Sequence, residues 1–192
     1  MRLFMLLLLG LPLLADAAPA FDCAKAEGTA EQLICHDPSL AALDRELAAR
    51  YPKAIAHFPE REQRQERAIQ RGWIKGRNEC RKSSDVRACI EQSYRMRITE
   101  LQIKGGQLEV PAPTNYRCGA ALRLEVYFYQ GGKLPAAVLN LTEGDDMQQT
   151  LAYGERQADA TRYTGRNTHL LVQRSRVTLE RYGKPSLTCQ PG

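Results

Sequence analysis

The sequence predicts two small domains, α then β: a disulfide-bonded helical hairpin or bundle, then a small antiparallel β-barrel or sandwich. Three observations predict it. Between Thr29 and Leu101, apolar residues recur at three- and four-residue steps. From Leu122 onward they alternate with polar residues in short runs separated by turn residues. The six cysteines divide the same way: Cys23, Cys35, Cys80 and Cys89 fall in the helical half, while Cys118 and Cys189 bracket the strand half.

The chain opens with Met1-Arg2, an apolar run from Leu3 to Leu14, and the small residues Ala15 to Ala20. This is the layout of a secretory signal peptide over residues 1–20, with cleavage after Ala17 or Ala20. The run is shorter than the ~20 residues that span a bilayer. Asp22 before Cys23 departs from the small-residue pattern of a lipid-anchored cysteine. The expectation is a cleaved, soluble, periplasmic chain that is not a lipoprotein, with no integral membrane segment after processing. An even cysteine count in an exported chain suggests disulfides.

In the helical half, residues 21–104, Thr29 with Gln32 reads as a capping box for a short first helix carrying Leu33, Ile34 and Cys35. Asp37-Pro38 restarts the chain as cap and first helical residue. Leu40, Leu43, Leu47, Tyr51 and Ile55 then form one apolar stripe. Pro59 opens a charged helix with Ile69, Trp73 and Cys80 as its inner face and Arg61, Arg64, Arg67 and Arg71 outside. Ser83-Ser84-Asp85 turns and caps a last helix, whose stripe is Val86, Cys89, Ile90, Tyr94, Ile98 and Leu101. Gly105-Gly106 ends it. Four cysteines allow three pairings, of which Cys23–Cys35 and Cys80–Cys89 are favoured. The rival zinc site lacks close CxxC knuckles. Trp73 and Tyr94 read as core, and Arg71 and Arg77 as solvated helix charge.

Residues 105–114 hold two glycines and two prolines without helical period and read as a linker. In the strand half, residues 115–192, strands are expected at Leu122–Phe128, Ala136–Leu141, Met147–Tyr153, Thr161–Thr164, His169–Gln173 and Arg176–Tyr182. A final segment ends at Cys189. A Cys118–Cys189 bridge would tie first strand to last and protect the sheet edges.

Composition narrows function. Residues 21–112 hold 16 Lys/Arg against 14 Asp/Glu, and residues 113–192 hold 10 against 7. Neither half has a basic stripe interleaved with aromatics, so no nucleic-acid partner is expected. His36, His57 and His169 are isolated; no Ser/His/Asp set, metal-spaced set or CxxC stands out. Neither an enzyme nor a cofactor nor a metal is expected.

Two resemblances carry the functional expectation. Phe21-Asp22-Cys23, Glu31-Gln32-Leu33-Ile34-Cys35, Leu40-Ala41-Ala42-Leu43-Asp44, Gln70-Arg71-Gly72-Trp73-Ile74, Arg77-Asn78-Glu79-Cys80 and Cys89-Ile90 resemble the N-terminal domain of the LprI family of lysozyme inhibitors. Tyr116-Arg117-Cys118, Val126-Tyr127-Phe128, Ala137-Val138-Leu139, Leu170-Leu171-Val172-Gln173-Arg174 and Leu187-Thr188-Cys189 resemble the MliC family of c-type lysozyme inhibitors. The second resemblance implies an eight-stranded barrel that plugs the lysozyme cleft with a protruding loop. That family's central motif reads Ser-Gly-x-x-Tyr, followed at a fixed distance by Lys-Gly, and its Ser and Lys contact the two catalytic carboxyl groups. Here Asp159-Ala160-Thr161-Arg162-Tyr163 stands for the first motif, and Gln173-Arg174 for the second. The resemblance therefore marks Asp159, Arg162, Tyr163, Gln173 and Arg174 as candidate lysozyme contacts. Asp159 would meet acids as an anion. Arg174, one residue beyond the lysine position, would supply a replacement cation, or Arg162 would neutralise Asp159 within the loop. The plain alternative makes Asp159 a turn residue and Gln173 and Arg174 strand-end surface groups. The expected function is occlusion of c-type lysozyme. The alternative is an envelope binding module for another protein, a glycan or a small apolar ligand.

Overall fold

The computed structural model describes residues 18–174 and 176–192. The expected signal peptide lies outside the described residues, apart from its last three. Four α-helices precede eight strands. Helix α1 spans Gly28–His36, α2 Pro38–Ile55, α3 Glu60–Asn78 and α4 Val86–Lys104.

The helix starts follow local chemistry. The Asp37 carboxylate accepts from the Ser39 and Leu40 amides, and Pro38 takes a position whose N–H needs no partner. Asp85 caps α4 by accepting from Ala88 N–H. The first helix differs from expectation. It begins at Gly28, whose φ of 76° suits glycine, and Glu31 rather than Thr29 supplies the side-chain bond, accepting from Glu27 N–H at 2.8 Å.

Ile34, Leu40, Leu47, Ile90, Tyr94, Ile98 and Leu101 form the helical core. Helix α3 corrects the expected inner face. Ile69 is 37% exposed, while Glu66 and Arg77 are 4% exposed, so the buried positions of α3 include charged ones. Apolar periodicity misses them because each charge has a partner on α4. Arg77 Nη1 donates to Tyr94 Oη at 2.6 Å, and Tyr94 O–H donates to Asp44 Oδ1 at 2.8 Å. Asp44 Oδ2 also accepts the Ala20 amide at 2.7 Å. Arg97, 1% exposed, pairs with Glu66, donates to Gln70 Oε1 at 2.9 Å and donates to Glu100 at 2.8 Å. Arg77 is thus interior rather than solvated. Burial raises the Tyr94 hydroxyl pKa well above the phenol range, so it stays a donor at neutral pH.

The strands are β1 Thr114–Cys118, β2 Leu122–Tyr129, β3 Ala136–Glu143, β4 Asp146–Arg156, β5 Thr161–Gly165, β6 Thr168–Gln173, β7 Arg176–Arg181 and β8 Leu187–Pro191. Each pairs antiparallel with the next, and β1 pairs with β8, closing the barrel. The sandwich alternative falls away. Thr114–Cys118 is a strand that the sequence pattern missed: only Cys118 is buried there, so no alternation announces it. In β2, Leu122, Leu124 and Val126 face the interior. Leu124, Val126, Leu139, Leu170 and Leu179 are at most 1% exposed. Each such burial contributes about 1.5–3 kcal/mol. The three disulfides are Cys23–Cys35, Cys80–Cys89 and Cys118–Cys189, which leaves no free thiol for the zinc reading.

Helix α4 is flanked on both sides. Ile90, Tyr94, Ile98 and Leu101 face the helical core. Glu100 and Ile103 line a cleft with Val138, Leu151 and Tyr153 of the barrel. Gly105 ends α4 against α2: a Cβ there would lie 2.6 Å from Ala54 Cβ. The segment after it is tied down as well, because Gln107 exchanges hydrogen bonds with Arg50.

Candidate functional site

An up-and-down barrel delivers alternate loops to the same end. The β2–β3, β4–β5 and β6–β7 connections therefore share one rim. Asp159 lies in the β4–β5 connection, which closes through a Gln157 N–H to Ala160 carbonyl bond of 2.8 Å. The β5–β6 ladder begins at Thr161 opposite Val172. Beyond that pair both segments turn away from the ladder: Asp159 lies in a bend and Arg174 in the β6–β7 turn. A carboxylate and a guanidinium thus stand on two connections at the same end of the barrel, both exposed. Among the described residues, no ion pair joins them.

Arg174 sits at φ 43°, in the left-handed region where a non-glycine side chain is uncommon. A two-residue antiparallel turn demands that geometry. The rim therefore presents an arginine where the local backbone prefers glycine or asparagine.

The other expected contacts separate from this pair. Arg162 donates to Glu180 Oε2 at 2.8 Å, two strands away on β7. It does not neutralise Asp159, because Glu180 on the barrel wall takes its charge. Tyr163 is 4% exposed, lies 5.3 Å from the Phe128 ring and belongs to the barrel core, where burial raises its pKa. It supports the β4–β5 region from inside. Gln173 is half-buried and pairs in register with Arg176. Asp159, Gln173 and Arg174 thus lie at one end of the barrel, while Arg162 pairs along its wall and Tyr163 lies in its core.

The helical half reaches the same rim. Lys133 in the β2–β3 connection pairs with Glu46 of α2 at 2.6 Å, and Leu134 N–H donates to Thr99 Oγ1 of α4 at 3.2 Å. Burial would raise the Glu46 pKa, but the bonds from Lys133 and Arg50 outweigh it and hold the carboxyl below its ordinary range. Glu46, Thr99 and Lys133 carried no signal in the sequence, since each is defined by a partner on a distant element. Pro135 continues the support: its carbonyl accepts Gly154 N–H at 2.6 Å, and Gly154 pairs with Tyr163.

Comparison with known proteins now decides the family. The family described as "Lysozyme inhibitor LprI" matches residues 22–104. A protein titled "Lipoprotein LprI" from Mycobacterium tuberculosis (strain ATCC 25618 / H37Rv) is 30% identical over 168 residues, 87% of this chain and 82% of that protein. One of the same title from Mycobacterium bovis (strain ATCC BAA-935 / AF2122/97) matches equally. The chain belongs to the LprI family. The aligned 168 residues exceed the helical region, so the likeness to these LprI proteins takes in part of the barrel sequence as well. No solved structure matches. The LprI family is one of inhibitors rather than enzymes. Among the described residues, no cluster of three or more His, Cys, Asp or Glu is placed to hold a metal ion, and no helix is long and apolar enough to cross a membrane.

Proposed function

We propose that this chain is an exported inhibitor of c-type lysozyme that occludes the active-site cleft with the Asp159 and Arg174 rim. LprI membership supports the target class. The observation that carries the mechanism is the exposed Arg174 in a left-handed turn, with the exposed Asp159 on a connection at the same end of the barrel. Lysozyme works with one protonated and one ionised carboxyl group. The Arg174 guanidinium would pair with the ionised one by charge-assisted bonds. Asp159 would accept from the protonated one, its charge offset by Arg174. One cation and one acceptor thereby replace the Lys and Ser of the MliC pattern, and inhibition protects peptidoglycan.

The relatives from Mycobacterium are named lipoproteins. In this chain Cys23 is bonded to Cys35, which leaves no thiol there for a lipid. That supports a free periplasmic form released by cleavage of the leader. Residues 21–104 and 115–192 would act as two units joined by residues 105–114. The alternative of a small apolar ligand in the barrel is disfavoured, since Leu124, Val126, Leu139, Leu170 and Leu179 fill its interior.

The test is a cell-lysis assay with c-type lysozyme and the variants Arg174→Ala and Asp159→Ser. The proposal expects Arg174→Ala to weaken inhibition at least tenfold, the order of one charge-assisted contact. Wild-type potency in Arg174→Ala would overturn the contact assignment.

A further inference from the structure

Helices α2 and α3 border a groove far from the barrel's core. Asp44, Leu47, Ala48 and Tyr51 line it from α2, and Gln70, Trp73, Ile74 and Arg77 line it from α3. Each set runs i, i+3, i+4, i+7, so each helix turns one whole face inward. The chain before α1 supplies Phe21, Asp22 and Lys25, and α1 supplies Glu31. The groove is open to solvent, and its volume of about 570 Å³ falls within the range of small-molecule sites.

The floor is already fixed. Arg77 is committed to Tyr94 and to Asn78, whose amide donates in turn to Glu31. Asp44 is held by Tyr94 and the Ala20 amide. The Glu31 carboxyl is held below its ordinary range chiefly by the Glu27 amide. A site built on such a network costs little ordering on binding.

The lining selects the ligand. Phe21, Tyr51 and Trp73 are each half-buried, so each keeps some ring surface accessible. Between them stand three carboxylates, Asp22, Glu31 and Asp44, against Lys25 and the committed Arg77. Asp22 is exposed, and the lone pairs that Asp44 and Glu31 keep beyond their protein donors can only accept, so the lining favours an occupant that brings donors. An anion would meet net negative charge. A purely apolar molecule would strip water from the carboxylates without replacing it. A sugar ring satisfies both demands: one face of C–H groups for an aromatic ring, and an edge of O–H or N–H donors for the carboxylates.

We propose that the α2–α3 groove binds a short oligosaccharide of neutral or cationic amino sugars. The site is separate from the barrel rim and does not depend on lysozyme binding. Trp73 is the only tryptophan in the chain and lines the groove; it also lines a second cleft beside Cys80, Cys89 and Met96, so a change in its emission is assigned to the groove by the Ala48 variant. The full chain is titrated with the glucosamine tetramer and, separately, the N-acetylglucosamine tetramer, with no lysozyme present. Ala48, exposed on α2 and outside the buried network, is changed to Arg to fill the groove. The expected result is a saturable change in Trp73 emission with at least one tetramer, weakened on the order of tenfold or more in Ala48→Arg. The proposal is overturned by no saturable change with either tetramer, or by a change that Ala48→Arg leaves intact while its helical circular dichroism is normal. It is equally overturned if only an apolar dye produces the change.

Discussion

Replacing Arg97 with Met should unfold the helical half far more readily than any surface change. Arg97 is 1% exposed and its guanidinium serves Glu66, Glu100 and Gln70 at once. Methionine keeps much of the volume but leaves Glu66, itself 4% exposed, as a buried carboxylate without its cation. Breaking a buried pair from one side costs about 3–5 kcal/mol. For a domain of this size, each kcal/mol lowers Tm by about 4–8 °C, so the fall is roughly 20 °C. The assay is urea and thermal unfolding followed by helical circular dichroism with disulfides intact. Glu66→Gln should cost less, because Arg97 keeps Glu100. The double change Arg97→Met with Glu66→Met should recover most of the loss, since an apolar pair replaces a desolvated ionic one. A loss below about 1 kcal/mol for Arg97→Met, the worth of an exposed pair, would refute this reasoning.

Three further outcomes follow from the same structure. Changing Cys118 and Cys189 to Ala removes a link across 71 residues of sequence and should lower barrel stability by about 4 kcal/mol, against about 3 kcal/mol for the Cys23–Cys35 link across 12, both read by urea unfolding. Gly105→Ala should cost about 1–3 kcal/mol by overpacking Ala54, with Gly72→Ala, where a Cβ meets open space, as the control. Acid should loosen the helical half before the barrel. Burial would raise the Glu46 and Glu100 carboxyls, yet their Lys and Arg partners bring them below the ordinary range, and hydrogen bonds from Arg95 and Arg87 do the same for Glu91. Folded carboxylates of lowered pKa bind fewer protons than unfolded ones. Their stability is present above about pH 4.5 and is lost as pH falls below it. Helical circular dichroism should therefore decline below pH 4.5 while barrel near-UV signals persist; simultaneous loss would contradict this.

The fold was legible where one residue acts on its neighbours. Asp37-Pro38 and Asp85 announced helix starts because a cap works within three residues. Leu122 to Phe128 announced a strand because its inner residues alternate. Ile69 misled because the buried face of α3 includes Glu66 and Arg77, whose partners lie on α4. Thr114–Cys118 went unseen as a strand because its first four residues stay partly or wholly exposed. The candidate site divides likewise. Asp159 and Arg174 lie on connections at one end of the barrel. Arg162 found Glu180, a partner that only the order of the strands could bring near. The Lys133–Glu46 and Thr99–Leu134 contacts join distant segments, so no local pattern announces them.

The most direct test is lysozyme inhibition by the full processed chain, measured as protection of bacterial cells from c-type lysozyme. The account predicts saturable inhibition near one inhibitor per enzyme, weakened at least tenfold by Arg174→Ala. Undiminished lysis with every c-type lysozyme tried, together with no complex on pull-down, would contradict it.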